Sequence, residues 1–182
     1  NLHWIHSSKL ETQDCKSVLK NIHGIIVAPG FGSRGIEGKI KAVHYARTKK
    51  IPFLGICLGM QCAIVEFARN ILKMKNANSI EIDSKTKFPV ISMMEKQKKL
   101  KKMGGTMRLG AYKCDIKKGT LLHKIYKKET ILERHRHRFE FNNKYVKEFE
   151  SKGLIFSGKN SKNQLMETIE IKDHPWFIGV QY

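Results

Sequence analysis

Cys57 sits in Gly55-Ile56-Cys57-Leu58-Gly59, a G-x-C-x-G pattern with the form of the G-x-S-x-G nucleophile elbow, cysteine standing in for serine. The pattern has a physical basis. A strand that turns sharply into a helix crowds its own backbone, and glycines on both sides remove the Cβ clashes. The side chain at the turn then stands at the carboxyl end of the sheet, facing the first turn of the helix. Free N–H groups and the positive dipole end there are expected to lower a thiol pKa, and the Leu58 N–H is placed to hold an oxyanion. The competing reading is a cysteine that simply packs, since free cysteine is among the most buried residue types. Cys62, five residues on and without flanking glycines, is read as packing. A second glycine-rich turn, Pro29-Gly30-Phe31-Gly32, offers the Gly30 N–H as the other half of an oxyanion hole. It could equally be an ordinary strand-to-helix turn, since it lacks the G-x-G-x-x-G and G-K-[ST] phosphate signatures.

The elements needed to hold these residues are legible around them. Apolar runs at 24–28 and 51–56 predict two strands. The stretch after the first has Ile40, Val43 and Ala46 at helical spacing. The stretch from Leu58 has Met60, Ile64, Phe67 and Ile71 stepping by four, three and four. Strand–helix–strand–helix predicts an α/β fold with a parallel sheet and helices packed on it. Further on, strands are predicted at 88–92, 154–156, 165–171 and 177–182, with a short helix over 143–152 stopped by Gly153. No repeat or Pro/Ser-rich linker divides the chain, so one domain is expected over residues 1–182.

The chain's 182 residues, 41% of them hydrophobic, suffice for one well-buried core. No apolar run reaches the length of a membrane span. The four cysteines (Cys15, Cys57, Cys62 and Cys114) form no CxxC pair and no ligand spacing with histidine, which fits reduced thiols, no metal site and a cytoplasmic setting. The net charge of +19 raises nucleic acid as a partner. However, only seven of the 35 basic residues are Arg, and the rest are Lys spread along the chain with one dense run, KQKKLKK at 96–102. That pattern fits a solvated basic surface better than a nucleic-acid interface.

Six segments occur in order: VAPGFGSRGIEGK, GICLGMQCAIVEFARN, NANSIE, GGTMRLG, ERHRHRFEFN and HPWFIGVQY. Together they resemble the class I glutamine amidotransferase domain of the CTP synthase family. GICLGMQ alone marks only the wider class, whereas GGTMRLG with RHRHRFE narrows the likeness to that family. The resemblance implies a three-layer fold with a mostly parallel central sheet and flanking helices. It also implies hydrolysis of glutamine through a thioester on Cys57, with Gly30 and Leu58 as the oxyanion N–H groups. Gln61, Glu81 and Arg138 match the glutamine-contacting positions. A carboxylate suits the α-ammonium and a guanidinium fork suits the α-carboxylate, so Glu81 is assigned to the first and Arg138 to the second. GGTMRLG is expected near the contact with the synthetase domain, and RHRHR in the pocket and domain-interface segment rather than on a nucleic-acid surface.

For the whole protein the resemblance implies a synthetase domain of the same chain that uses ATP and Mg to aminate UTP, GTP as activator, and a homotetramer. No cofactor is expected in this domain. Two alternatives are a basic nucleic-acid-binding module and a non-catalytic amidotransferase-like domain. Two departures from the family pattern stand out. The turn reads APGFG at 28–32 where the family has PGGFG, and the sequence stops at Tyr182, one residue before the family's His-Pro-Glu. The expectation is therefore a domain incomplete at both ends, and a very poor glutaminase in isolation, since general acid–base catalysis contributes roughly 10²–10⁴-fold.

Overall fold

Three parallel strands carry the Cys57 turn in the computed structural model, which describes residues 1–93 and 107–182. β1 (Ile25–Val27) lies beside β2 (Phe53–Ile56), with Ile25 opposite Phe53. On its other side β2 pairs with β10 (Phe177–Val180), with Phe177 opposite Phe53. The sheet then continues through β9 (Leu165–Ile171), β8 (Leu154–Asn160), β5 (Arg108–Ile116) and β6 (Thr130–His137), giving seven strands in the order β1-β2-β10-β9-β8-β5-β6. A smaller sheet is built from β3 (Asn78–Ser79), β4 (Pro89–Ser92) and β7 (Glu140–Phe141).

The expected α/β architecture holds, but the large sheet is not mostly parallel. Two of its pairings are parallel and four are antiparallel. The reason is connection length. β8 to β9 and β9 to β10 are joined by turns of a few residues, which reverse the chain, whereas a parallel return needs a crossover of a dozen residues or more. Within the large sheet, parallel pairing is confined to strands whose connections contain α3 (Ile36–Lys49) or longer stretches of chain.

Helix α3 and helix α4 (Leu58–Asn70) cover one face of the parallel strands. The predicted stripe Met60, Ile64 and Phe67 is buried there, and Phe53 stacks on Phe177 with ring centroids 4.4 Å apart. Every residue of α4 from Leu58 to Ala68 is buried, because the small sheet packs on its other side. Arg47 of α3 donates two N–H groups to the fully buried Glu66 of α4, at 2.8 and 2.6 Å, and fixes the pair of helices. The opposite face of the large sheet has its own core, with Cys114, Ile116, Ile131, Ile178 and Val180 packed under Leu122 of α5 (Leu121–Tyr126).

The two short N-terminal helices, α1 (Lys9–Thr12) and α2 (Cys15–Val18), lie against α3. The helix expected over 143–152 is a 3-10 turn (Asn143–Tyr145) followed by α6 (Val146–Ser151), and Gly153 beyond it has φ +91°. Of GGTMRLG, Arg108 to Gly110 form the start of β5 and Arg108 is buried, while 104–106 and the lysine run at 96–102 lie outside the described residues. Among the described residues no helix is long and apolar enough to cross a membrane.

Candidate active site

The turn at Cys57 is strained and tied at both ends. Its φ of 52° and ψ of −102° lie where L residues are rare. Its amide donates to the Val180 carbonyl of β10 at 2.7 Å, and its carbonyl accepts from the Gln61 amide at 3.1 Å. A Cβ on Gly59 would come within 2.1 Å of the Val27 carbonyl oxygen, and one on Gly55 within 2.7 Å of Gly59 itself. The two glycines therefore let strand, turn and helix approach more closely than any side chain permits, while the strain falls on Cys57. Such strain persists only where the surroundings over-determine it, and it clusters at functional sites.

Around the sulfur the structure brings together residues far apart in sequence. Gly30, Cys57, Gln61, Glu81 and Arg138 line one cleft, and Phe31, Met107, His137 and Phe139 complete its walls. Glu81 lies across from the glycine turn and accepts from the Gly32 amide at 3.1 Å. Gln61, buried in the first turns of α4, donates to the Phe139 carbonyl at 3.2 Å and to the Gln181 side-chain oxygen at 3.3 Å. Leu58 is buried at the start of α4 and is not among the residues lining this cleft, although its backbone N–H acts to lower the Cys57 pKa.

The thiol does not behave as the helix N-terminus alone would dictate. Burial pushes the Cys57 pKa above its ordinary value, and the Glu140 and Glu81 carboxylates push the same way. The Leu58 N–H and the Gln181 side chain act in the opposite direction but do not win. The expectation of a lowered pKa is corrected by desolvation, which a sequence does not display. Cys62, mid-helix and 2% exposed, is pushed up to about 12 by burial and is the packing residue it was expected to be.

Behind the cleft lies a buried charged cluster that sequence reasoning missed. Arg108 reaches Glu167 at 2.7 Å and Glu140 at 3.4 Å, and stacks over Tyr112 at 4.3 Å. His135 Nδ1 and His137 Nε2 are 2.8 Å apart, and His137 Nδ1 donates to the Phe139 carbonyl. Burial and the neighbouring guanidinium lower the His135 pKa to about 3 and the His137 pKa to about 4. Burial raises Glu140 to about 8 and also lifts Glu167. The signal was present in RHRHR. A strand alternates its faces, so the two histidines point inward while Arg134 and Arg136 remain exposed.

The family description "Glutamine amidotransferase class-I" matches residues 1–182. The chain belongs to this family. Among known class I glutamine amidotransferases, it is 55% identical over 181 residues to the CTP synthase of Cytophaga hutchinsonii, covering 100% of this chain and 34% of that protein. It is 53% identical over 182 residues to the CTP synthase of Clostridium acetobutylicum, again covering 100% of this chain and 34% of the relative. The chain thus spans about a third of the length of these relatives. In three dimensions it matches the glutaminase domain of Trypanosoma brucei CTPS with bound acivicin at a TM-score of 0.93 and 34% identity, over 100% of this chain and 72% of that one. A glutamine amidotransferase from Thermotoga maritima matches at a TM-score of 0.59 and 11% identity, over 90% of this chain and 56% of that one, a likeness of fold.

Proposed function

We propose that this domain hydrolyses glutamine to glutamate and ammonia with Cys57 as the nucleophile. In this reading Cys57 Sγ attacks the side-chain amide carbon, and the oxyanion is held by the N–H groups of Gly30 and Leu58. The C–N bond then breaks, ammonia leaves carrying a proton, and a thioester remains. Water cleaves the thioester to give glutamate and the free thiol. Glu81 binds the α-ammonium, Arg138 the α-carboxylate, and Gln61 completes the pocket. The raised thiol pKa calls for a base, a role the resemblance gives to a histidine of a His-Pro-Glu segment outside these 182 residues.

The observation that carries the proposal is the convergence on one cleft of a strained cysteine, a carboxylate and a guanidinium. The first is needed for acyl transfer, and the other two match the charges of an α-amino acid. The CTP synthases to which the chain is similar support the wider reading. In it, the domain feeds ammonia to a synthetase domain of the same protein, which aminates UTP to CTP with ATP and Mg, under activation by GTP. That whole protein is proposed to be a cytoplasmic homotetramer.

In the whole protein, Cys57→Ala is expected to abolish glutamine-dependent CTP formation and leave formation from added ammonia intact. Glu81→Gln and Arg138→Ala are expected to raise the glutamine KM by tenfold or more, each removing a charge-assisted contact worth roughly 1.5–3 kcal/mol. Glutamine-dependent synthesis by Cys57→Ala would overturn the proposal.

A further inference from the structure

Beside the Cys57 sulfur stands a residue without a role so far. Gln181 follows β10, is 1% exposed, and its Nε2 lies 3.6 Å from Cys57 Sγ, within hydrogen-bond range for sulfur. A lone glutamine beside a thiol could face it with either end, because amide oxygen and nitrogen are interchangeable in shape. Here the surroundings decide. A backbone carbonyl can only accept, so the Phe139 carbonyl requires Gln61 to present its nitrogen. The second hydrogen of that nitrogen goes to Gln181, which must therefore present its oxygen to Gln61. The remaining end of Gln181, its NH2 group, is turned to the sulfur. The Gln181 backbone is fixed too, because its amide donates to the Glu167 carbonyl at 2.8 Å.

We propose that Gln181 is a positioning residue for the nucleophile, donating an amide hydrogen bond to the Cys57 sulfur with an orientation imposed by Gln61 and the Phe139 carbonyl. This rests on the nucleophile reading of Cys57 and adds a second task to Gln61. Both hydrogens of the Gln61 amide are spent inside the protein, so only its oxygen, which has no hydrogen-bond partner among the described residues, is left for a substrate N–H. A donor to sulfur favours the thiolate over the thiol. It also fixes the direction from which the sulfur lone pair meets the amide carbon. Gln181 thus offsets part of the desolvation that opposes ionisation of a thiol in this buried turn.

The test is the pH dependence of Cys57 alkylation by iodoacetamide in the whole protein, read by mass spectrometry of the Cys57 peptide, with glutamine hydrolysis measured in parallel. Gln181→Met keeps the volume and removes the donor. Gln181→Glu keeps the acceptor for Gln61 and puts a carboxylate against the sulfur. The alkylation midpoint is expected to rise by about one pH unit in Gln181→Met, with roughly a tenfold loss of kcat and little change in glutamine KM, and to rise further in Gln181→Glu. An unchanged midpoint in Gln181→Met would overturn the proposal, because loss of a residue that only packs leaves the titration where it is. So would an unchanged midpoint in Gln181→Glu, whose charge must be felt if position 181 faces the sulfur. Cys62 reports folding: if it becomes labelled in Gln181→Met, the decision passes to Gln181→Leu, which also removes the donor without adding charge. Retained glutamine hydrolysis by Cys57→Ala would sink the nucleophile reading itself, an outcome separate from any result on Gln181.

Discussion

Cys57 holds a backbone conformation that L residues avoid, and this reverses an ordinary rule about substitutions. Glycine usually destabilises relative to alanine, by about 0.5–1 kcal/mol. At position 57, strain of about 1–3 kcal/mol falls on any residue with a Cβ and vanishes for glycine. Cys57→Gly is therefore expected to unfold at a higher denaturant concentration than Cys57→Ala, with both lacking the thiol. The same order as at exposed helical sites, alanine above glycine, would show that the turn relaxes instead of storing strain. The sequence placed Cys57 in a turn and Cys62 in a helix interior, as the structure has them, because flanking glycines mark a turn and their absence marks a helix interior. It did not give the direction of the Cys57 pKa. That depends on burial and on the carboxylates of Glu81 and Glu140, contributed by residues 24 and 83 positions away.

Strand–turn–helix is a unit only if its parts touch. The Cβ of any residue at 59 would lie 2.1 Å from the Val27 carbonyl oxygen, and backbone cannot move aside as a side chain can. Gly59→Ala is expected to push α4 off β1 and to destabilise the domain by about 3 kcal/mol, at the upper end of typical overpacking costs. Equilibrium unfolding would measure this, and a cost under 1 kcal/mol would mean that the elbow packs loosely. At this scale much was readable from the sequence. The two strands and two helices that frame Cys57 followed from apolar period, and the late strands from runs bounded by turn residues. Pairing direction was readable only in part: the short turns joining β8, β9 and β10 imply antiparallel neighbours, whereas the pairings of β5 with β8 and of β2 with β10 bring together strands distant in the chain. In RHRHR the charges attract notice first, while the alternation of a strand is what separates two buried histidines from the exposed Arg134 and Arg136.

The cluster around Arg108 makes the whole molecule sensitive to pH in two opposed ways. His135 and His137 have pKa values depressed to about 3 and about 4, from an ordinary 6.5. Between roughly pH 4 and 6.5 the unfolded chain binds protons there that the folded one does not, so stability falls as pH falls through that window. Glu140 is raised from 4.5 to about 8. Burial is the main cause, and the nearby Glu167 carboxylate adds to it, while Arg108 at 3.4 Å opposes the rise without overcoming it. Over the range from about 4.5 to 8 the folded state binds a proton that the unfolded state lacks, so stability falls as pH rises toward 8. Thermal unfolding is expected to give a dome-shaped profile with its top near neutrality. Glu140→Gln, which imitates the neutral acid, should flatten the alkaline limb and keep the acidic one. An alkaline limb of unchanged slope in Glu140→Gln would assign it to another group.

The bond from the Cys57 amide to the Val180 carbonyl also sets the order in which the domain can be built. Strand β2 is complete only when β10 lies beside it, and Gln181 meets Cys57 across a separation of 124 residues. Contacts this distant along the chain close slowly, after local helices and hairpins have formed. A ribosome-bound chain that has not yet exposed β10 holds Cys57 in a turn with neither its carbonyl anchor nor its glutamine neighbour. The geometry around Cys57 thus waits on β10, and the newborn turn lacks both of these partners until that strand pairs with β2.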